Sequence, residues 1–189
     1  MRELVYYVAV STDGFIADPT GGFDAFLSEG DHNELVLGEY ADALPAHAHA
    51  ALGMKPPRTR FDTVLMGWRT LTPALDAGIA SPYPHLHQIV ATRTLREVSP
   101  DVTLTDDPLN TVRALKRDDG LDVWLCGGGE LAGTLLPEID RLVLKRHPVA
   151  FGAGIPLFGG AAHAPTRFRA AARRAFESGV VVEEYSRET

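Results

Sequence analysis

One cysteine, Cys126, in 189 residues leaves no disulfide framework and no multi-cysteine metal site. No His or Asn motif surrounds it, and its place in an apolar run reads as a packed core thiol. Basic runs are missing too. With 18 Lys and Arg against 25 Asp and Glu, the net charge is −7, which argues against a nucleic-acid surface, since phosphate backbones are held by clustered cations. The longest early apolar stretch, in MRELVYYVAVS, is short and is soon interrupted by Asp13, so it serves neither as signal peptide nor as membrane span. The chain therefore reads as cytoplasmic. His85 and His87 lie two apart without a third ligand, and His47 and His49 face opposite sides of a helix, so no metal is expected. A hydrophobic content of 45% over this length fills one core, and one domain spanning residues 1–189 is the expectation.

What is present centres on Asp122 to Leu136, DVWLCGGGELAGTLL. Val123 to Cys126 reads as a buried strand. Three glycines follow, and Leu131, Leu135 and Leu136 then recur at helical spacing until Pro137. At a strand–glycine–helix junction the first helical N–H groups point outward unpaired, and Gly127, Gly128 and Gly129 lack side chains that would block an anion. The same glycines could equally make a tight corner. The string fits G-x-G-x-x-A, yet the acid expected about twenty residues on is replaced by Lys145-Arg-His-Pro148, and Glu130 stands where a Walker lysine would begin. A nucleotide bound here implies a different fold from the Rossmann one.

Along the chain, Leu4 to Val10 reads as a central strand covered on both faces, broken by Ser11-Thr-Asp-Gly14 before Phe15 to Ala17 and the loop to Gly22. From about Asp31 a helix is expected with Leu37, Tyr40, Ala41 and Leu44 on one face, leaving Glu34, Glu39 and Asp42 on a solvated side; Pro45 opens a second helix to Leu52. Phe61 to Met66 is a strand leading into the turn Gly67-Trp-Arg-Thr70, and Gln88 to Thr92 is another. Asp107 and Pro108 suit the cap and first residue of a helix carrying Leu109, Val112 and Leu115. Ile139 to Val149 is expected as a long strand, Phe151 to Gly160 as a glycine loop. Phe168 to Phe176 and Val180 to Val182, joined by Ser178-Gly179, read as a hairpin. These elements give an α/β fold in three layers: a mostly parallel central sheet, helices on both faces, and a C-terminal antiparallel hairpin.

Ser11-Thr-Asp-Gly-Phe-Ile-Ala17, Gly67-Trp-Arg-Thr70, Thr92-Arg-Thr94, Gly127-Gly-Gly129 and Phe151-Gly-Ala-Gly-Ile-Pro-Leu-Phe158, in this order over nearly the whole chain, resemble the dihydrofolate reductase superfamily. The likeness is to stand-alone proteins related to the reductase domain of the bifunctional riboflavin-biosynthesis deaminase/reductase. It implies a dihydrofolate-reductase-like fold, NADPH as hydride donor, a small-molecule substrate and a homodimer. By the same resemblance Gly67, Trp68, Arg69 and Thr70 belong to the diphosphate turn, Thr92 and Arg93 to the adenosine 2′-phosphate, and Gly127, Gly128 and Gly129 to the close approach of the dinucleotide, with Glu130 and Leu131 just behind. It places Ala9, Thr12, Asp13 and Gly14 against the nicotinamide, with Asp13 ordering a water on the proton route and the Ser11 to Gly22 segment closing as a lid. Trp68 stands where relatives usually have a basic residue, so preference for NADPH leans on Arg93. Phe15 stands where the riboflavin reductases have a substrate-side lysine. The leading activity implied is reduction of 5-amino-6-(5-phosphoribosylamino)uracil; the alternatives are a dihydrofolate or pterin reductase and a non-catalytic NADP-binding protein.

Overall fold

The structure is a computed structural model that describes residues 2–160 and 163–188. Strand β1, Leu4–Val10, is its axis. It pairs in parallel with β6 (Asp122–Gly127) on one edge and β7 (Arg141–Arg146) on the other. A strand bonded on both edges and covered on both faces gains most by being apolar at every position, and LVYYVAV satisfies this. Beyond β6 lie β3 (Phe61–Gly67), β4 (His87–Ala91) and β5 (Val102–Thr105), all parallel; beyond β7 the order ends with β10 (Val181–Arg187), antiparallel to β7, and β9 (Phe168–Ala175), antiparallel to β10. A separate two-stranded ribbon joins β2 (Phe15–Ala17) to β8 (Ile155–Pro156).

The period-two alternation of side chains sorts the core into two layers. Leu4, Tyr6 and Val10 join Leu65, Ile89, Val123, Leu125, Leu142 and Leu144 against helices α4 (Pro108–Leu115) and α5 (Gly129–Leu135), which contribute Val112, Leu131, Ala132 and Leu135. Val5 and Tyr7 join Val64, Met66, Val90, Trp124 and Val143 on the opposite face, under Leu35 of α1 (Asn33–Gly38), Tyr40, and Leu71 of α3 (Trp68–Asp76). Helix α2 (Ala46–Ala51) follows Pro45, which caps it rather than opening it. The three-layer α/β arrangement and the C-terminal hairpin are as expected from the sequence. Asp107 caps α4 by accepting from the Asn110 N–H.

Three local expectations change. The short edge strand β5 was not anticipated, because only two of its four residues are apolar. Strand β7 covers six residues rather than the whole of 139–149: β1 ends at Val10, and Pro148 has no N–H to continue a ladder. The helix expected from Asp31 breaks after Gly38 and resumes as a 3-10 turn, Ala41–Ala43. Its cause is Asp42, which is 1% exposed rather than solvated. Asp42 turns inward and accepts from the backbone N–H groups of Arg58, Thr59, Arg60 and Phe61 at 2.6, 2.9, 2.8 and 3.1 Å, fixing the start of β3. Burial pushes its carboxyl up, but the four hydrogen bonds outweigh burial and hold it below the usual carboxylate range. Its stabilising contribution is therefore complete above that range and lost as pH falls through it. Asp42→Ala strands these donors and is expected to lower stability by about 2–4 kcal/mol in denaturant titration.

Candidate functional site

In a parallel sheet the ligand crevice forms outside the carboxyl ends of the strands, where neighbouring connections diverge. Here β3 and β6 are neighbours, with Met66 opposite Gly127. Each runs directly into a glycine and a helix. Gly67 caps α3 and Gly128 caps α5, and neither cap offers a side chain to the first helical N–H groups. Those donors are left for something else. A Cβ built on Gly67 would lie 3.7 Å from the Gly127 carbonyl oxygen and the Gly128 nitrogen, and one on Gly128 would lie 3.6 Å from Thr70 Oγ1. The two helix starts thus adjoin at their glycines, which leave a gap in side-chain cover there. The Gly127–Gly128 peptide is cis, and Gly127, at φ 131°, would project a Cβ into open space.

The third glycine has another use. A Cβ on Gly129 would overlap the Pro156 carbonyl, so Gly129 lets the Phe151 to Gly160 loop pack on α5 and is itself buried. Leu131 faces the core at 8% exposure, while Glu130 points outward toward Arg69 at 3.9 Å. Both members of that pair are highly exposed, which makes it worth little to stability. At the end of β4 the Thr92 hydroxyl accepts from the Thr94 N–H at 3.2 Å and donates to the Thr94 carbonyl at 3.0 Å, shaping the turn that exposes Arg93. The guanidinium of Arg96 lies 4.9 Å from the centre of the Trp68 ring. Arg96 carried no sequence signal, because it lies in an irregular loop with no spacing motif. Yet it sets a cation against the Trp68 ring.

The first loop is tied rather than free. The Thr12 N–H and hydroxyl both donate to the Val149 carbonyl, at 2.8 and 2.9 Å. Asp13 accepts from the Ser11 hydroxyl at 2.6 Å and from the N–H groups of Phe151 and Gly152 at 3.1 and 2.7 Å. With the β2–β8 ribbon, these bonds join Ser11 to Ala17 to the loop after β7, and closure of the Ser11 to Gly22 segment over a ligand would have to carry that loop along or break them. The Ser11 hydroxyl foremost, then the two N–H groups, outweigh desolvation and pull the Asp13 carboxyl down to about 2. A carboxylate so held has no proton to give near neutral pH. Asp13 is a loop tie.

On the face of the sheet under α1 and α3, Ala9 is half-buried although Val5 and Tyr7 are covered. Tyr7, Trp124, Tyr83, Cys126 and Lys145 meet there; the Trp124 indole N–H donates to the Tyr7 carbonyl at 3.0 Å, and the Tyr83 ring stands edge-on to Trp124 at 5.1 Å. Burial pushes the Cys126 thiol up to about 12, so it stays protonated, as its core reading requires. His147 closes the site from below, accepting the Leu27 N–H at Nδ1 with His32 edge-on at 5.6 Å. His85 bonds the Asp42 carbonyl, with the His49 ring edge-on at 5.0 Å, while His87 lies exposed near Thr103. Among the described residues no group of three potential ligands occurs.

A profile of the RibD C-terminal domain matches residues 2–182. The chain belongs to that family. Curated relatives agree in extent. "Uncharacterized protein YwjB" of Bacillus subtilis (strain 168) is 31% identical over 164 residues, 83% of either chain, and "Uncharacterized protein YyaP" of the same organism is 26% identical over 171 residues, 83% of this chain and 80% of the relative. Two solved structures share the fold. One, from Shewanella sp. PV-4 and provisionally named a riboflavin biosynthesis protein, superposes with TM-score 0.69 at 23% identity over 100% of both chains. The other is the Thermotoga maritima diaminohydroxyphosphoribosylaminopyrimidine deaminase/5-amino-6-(5-phosphoribosylamino)uracil reductase, with TM-score 0.70 at 17% identity over 99% of this chain. The chain spans 57% of that bifunctional protein. No helix among the described residues is long and apolar enough to cross a membrane.

The glycines separate by experiment. Gly129→Ala is expected to lower the melting temperature because the loop must move, whereas Gly128→Ala, at φ −89° with only Thr70 Oγ1 in ordinary contact, leaves it unchanged. His147 sets a pH dependence. Desolvation, then the charges of Lys145 and His32, hold its imidazole down to about 4. Below its ordinary pKa of about 6.5 the unfolded chain binds the proton that the folded chain refuses. Stability is therefore full above that pH and falls as pH drops toward 4, and His147→Gln flattens this part of a melting-temperature profile.

Proposed function

We propose that the chain is an NADPH-dependent reductase that transfers hydride to the C=N or C=O of a small heterocyclic or ribosyl substrate, with 5-amino-6-(5-phosphoribosylamino)uracil the leading candidate. The observation that carries this reading is the pair of uncapped helix starts adjoining at Gly67 and Gly127–Gly128. A dinucleotide diphosphate is a dianion of the right chemistry for that gap, with N–H groups of both helix starts and the Thr70 hydroxyl as donors. Ala9 and the Thr12–Gly14 turn then form the wall for the nicotinamide, where Gly14 leaves open space. Thr92 and Arg93 take the adenosine 2′-phosphate, and Arg96 on Trp68 adds the cation missing from the Gly67 turn. When bound, NADPH supplies the hydride. The protein orients it, keeps water from the reacting carbon and provides the proton.

A pterin reductase requires an acid aimed at the ring from the first helical segment. Glu34 and Glu39 are exposed, and Asp42 is committed to backbone, which favours the ribosyl substrate. The same reading takes residues 1–189 as a single domain working in the cytoplasm as a homodimer.

Calorimetric titration of NADPH and NADH tests this. Wild type is expected to prefer NADPH, and Arg93→Ala and Arg96→Ala each weaken NADPH by about 1.5–3 kcal/mol while sparing NADH, the scale of a charge-assisted hydrogen bond. Trp68→Arg tightens NADPH with a steeper salt dependence. Gly128→Val folds but binds neither cofactor. Unchanged affinity in a folded Gly128→Val protein sinks the reading, and stoichiometric binding without turnover of the uracil substrate would select the non-catalytic alternative.

A further inference from the structure

Lys145 is the cation of β7 that the protein leaves without a counter-ion. Arg141, on the same strand, is paired with Glu184 at 2.8 Å and Glu3 at 3.8 Å, and Arg146 with Glu183 at 3.2 Å. No carboxylate lies within ion-pair distance of Lys145 among the described residues, and no side-chain hydrogen bond from it is formed there. Glu184, one pair further along the same face, is taken by Arg141 and the Tyr40 hydroxyl. Instead the ammonium lies 4.4 Å from the centre of the Tyr7 ring. The register places Lys145 beside Ala9, on the face shared with Val143, Trp124 and Cys126. The groups around it are Tyr7 on β1, Cys126 on β6, Tyr83 ahead of β4, His32 ahead of α1, and His147 two residues on. None of them is an anion near neutral pH: the tyrosines and the thiol are held protonated by burial, and burial keeps both imidazoles from taking a proton.

An ammonium that is half-buried without a partner costs stability, and a fold keeps such a group where something from outside completes it. Its ladder partner Ala9 is half-buried and belongs to the wall assigned above to the nicotinamide. We propose that Lys145 is the catalytic proton donor of the substrate site, its ammonium bonded to the oxygen or nitrogen of the double bond being reduced. The inference rests on the reductase reading. In the step, the hydride of the reduced nicotinamide adds to the carbon of C=O or C=N, and the π pair moves onto the heteroatom. That atom takes a proton from Lys145 Nζ, giving CH–OH or CH–NH, an oxidised nicotinamide and a neutral amine that regains its proton from water. Burial brings the ammonium down to about 8, close enough to neutrality to release its proton in the step and recover it afterwards. With Asp13 tied into its loop as an ionised carboxylate, Lys145 supplies the acid that the first loop lacks.

Two measurements on the whole protein test this. The chain has three lysines, Lys55, Lys116 and Lys145, so side-chain NMR resolves each. Lys145 is expected to titrate near 8, and its signal is expected to shift when 5-amino-6-(5-phosphoribosylamino)uracil is added to the NADP⁺-saturated protein. In turnover, Lys145→Met should lose about 100-fold or more in kcat, the usual range for an acid catalyst, with NADPH affinity unchanged and the loss of activity above pH 8 removed from the kcat/KM profile. The variant should melt higher than wild type, because an unpartnered ammonium has gone, so misfolding cannot mimic the loss. Lys145→Arg should not rescue kcat, since a guanidinium does not release its proton. An alkaline limb that persists in Lys145→Met, or a kcat within a few-fold of wild type, overturns the proposal. If wild type binds NADPH but does not turn over this substrate, the NMR decides: a Lys145 signal indifferent to the added uracil compound overturns it, and a shifted one upholds the contact. Failure of NADPH binding itself would instead strike the reductase reading, with Lys145 still judged by its response to the compound alone.

Discussion

Strand β1 is held by parallel ladders on both edges while its two faces bury different layers, and every feature of the candidate site takes its position from it. The even-numbered residues, Leu4, Tyr6 and Val10, fix α4 and α5; the odd-numbered ones, Val5 and Tyr7, fix the layer under α1 and α3. Because a one-residue slip would exchange the layers, the register is strongly specified. That same register sets Ala9 beside Lys145, and Tyr6 beside Leu125 two residues before the first glycine. Ala9 is half-buried on the face that carries Lys145, so the two stand side by side through one alignment.

The sequence made the fold legible where the signal is local. Continuous β-branched runs, the Asp107–Pro108 cap, the Ser178–Gly179 turn and the strand–glycine–helix junctions each act within a few residues, and each is found in place. Side chains whose role depends on distant backbone were not legible. Asp42 looked like one more acid on a polar helix face until the chain from Arg58 to Phe61 returned to it. Asp13 looked like a group for the nicotinamide end, yet its partners Phe151 and Gly152 lie well over a hundred residues on. Lys145 drew notice in the sequence only as the residue standing where a ribose-binding acid was sought. The alternation within β7 places its side chain on the sheet face beside Ala9, and spacing alone could not say that no carboxylate would meet it.

Charge is distributed with the same economy of place. Glutamates on β10 neutralise Arg141 and Arg146, and Glu138 and Asp140 neutralise Lys116 and Arg113 at the opposite end of the sheet. Arg2, buried at 8% exposure, is bound to Asp62 and to the Thr63 hydroxyl. Against that background Lys145, half-buried, and Arg93 and Arg96, exposed, have no carboxylate partner among the described residues. In a chain of net charge −7, cations without such partners are where an anionic ligand would meet least repulsion.

The pairing of β1 also governs the order in which the chain can become a protein. Its ladders are made with strands beginning at Asp122 and Arg141, so this apolar segment is synthesised well before either of its neighbours. Loops of that length close slowly compared with local turns and helices. On the ribosome, β1 must wait with unsatisfied edges until more than half of the chain has emerged, exposed to any other strand in reach. The loop after β1, tied to Val149–Gly152, therefore takes its place only once the chain as far as Gly152 exists, and truncation products that retain β1 without β6 and β7 carry an aggregation-prone strand with open edges.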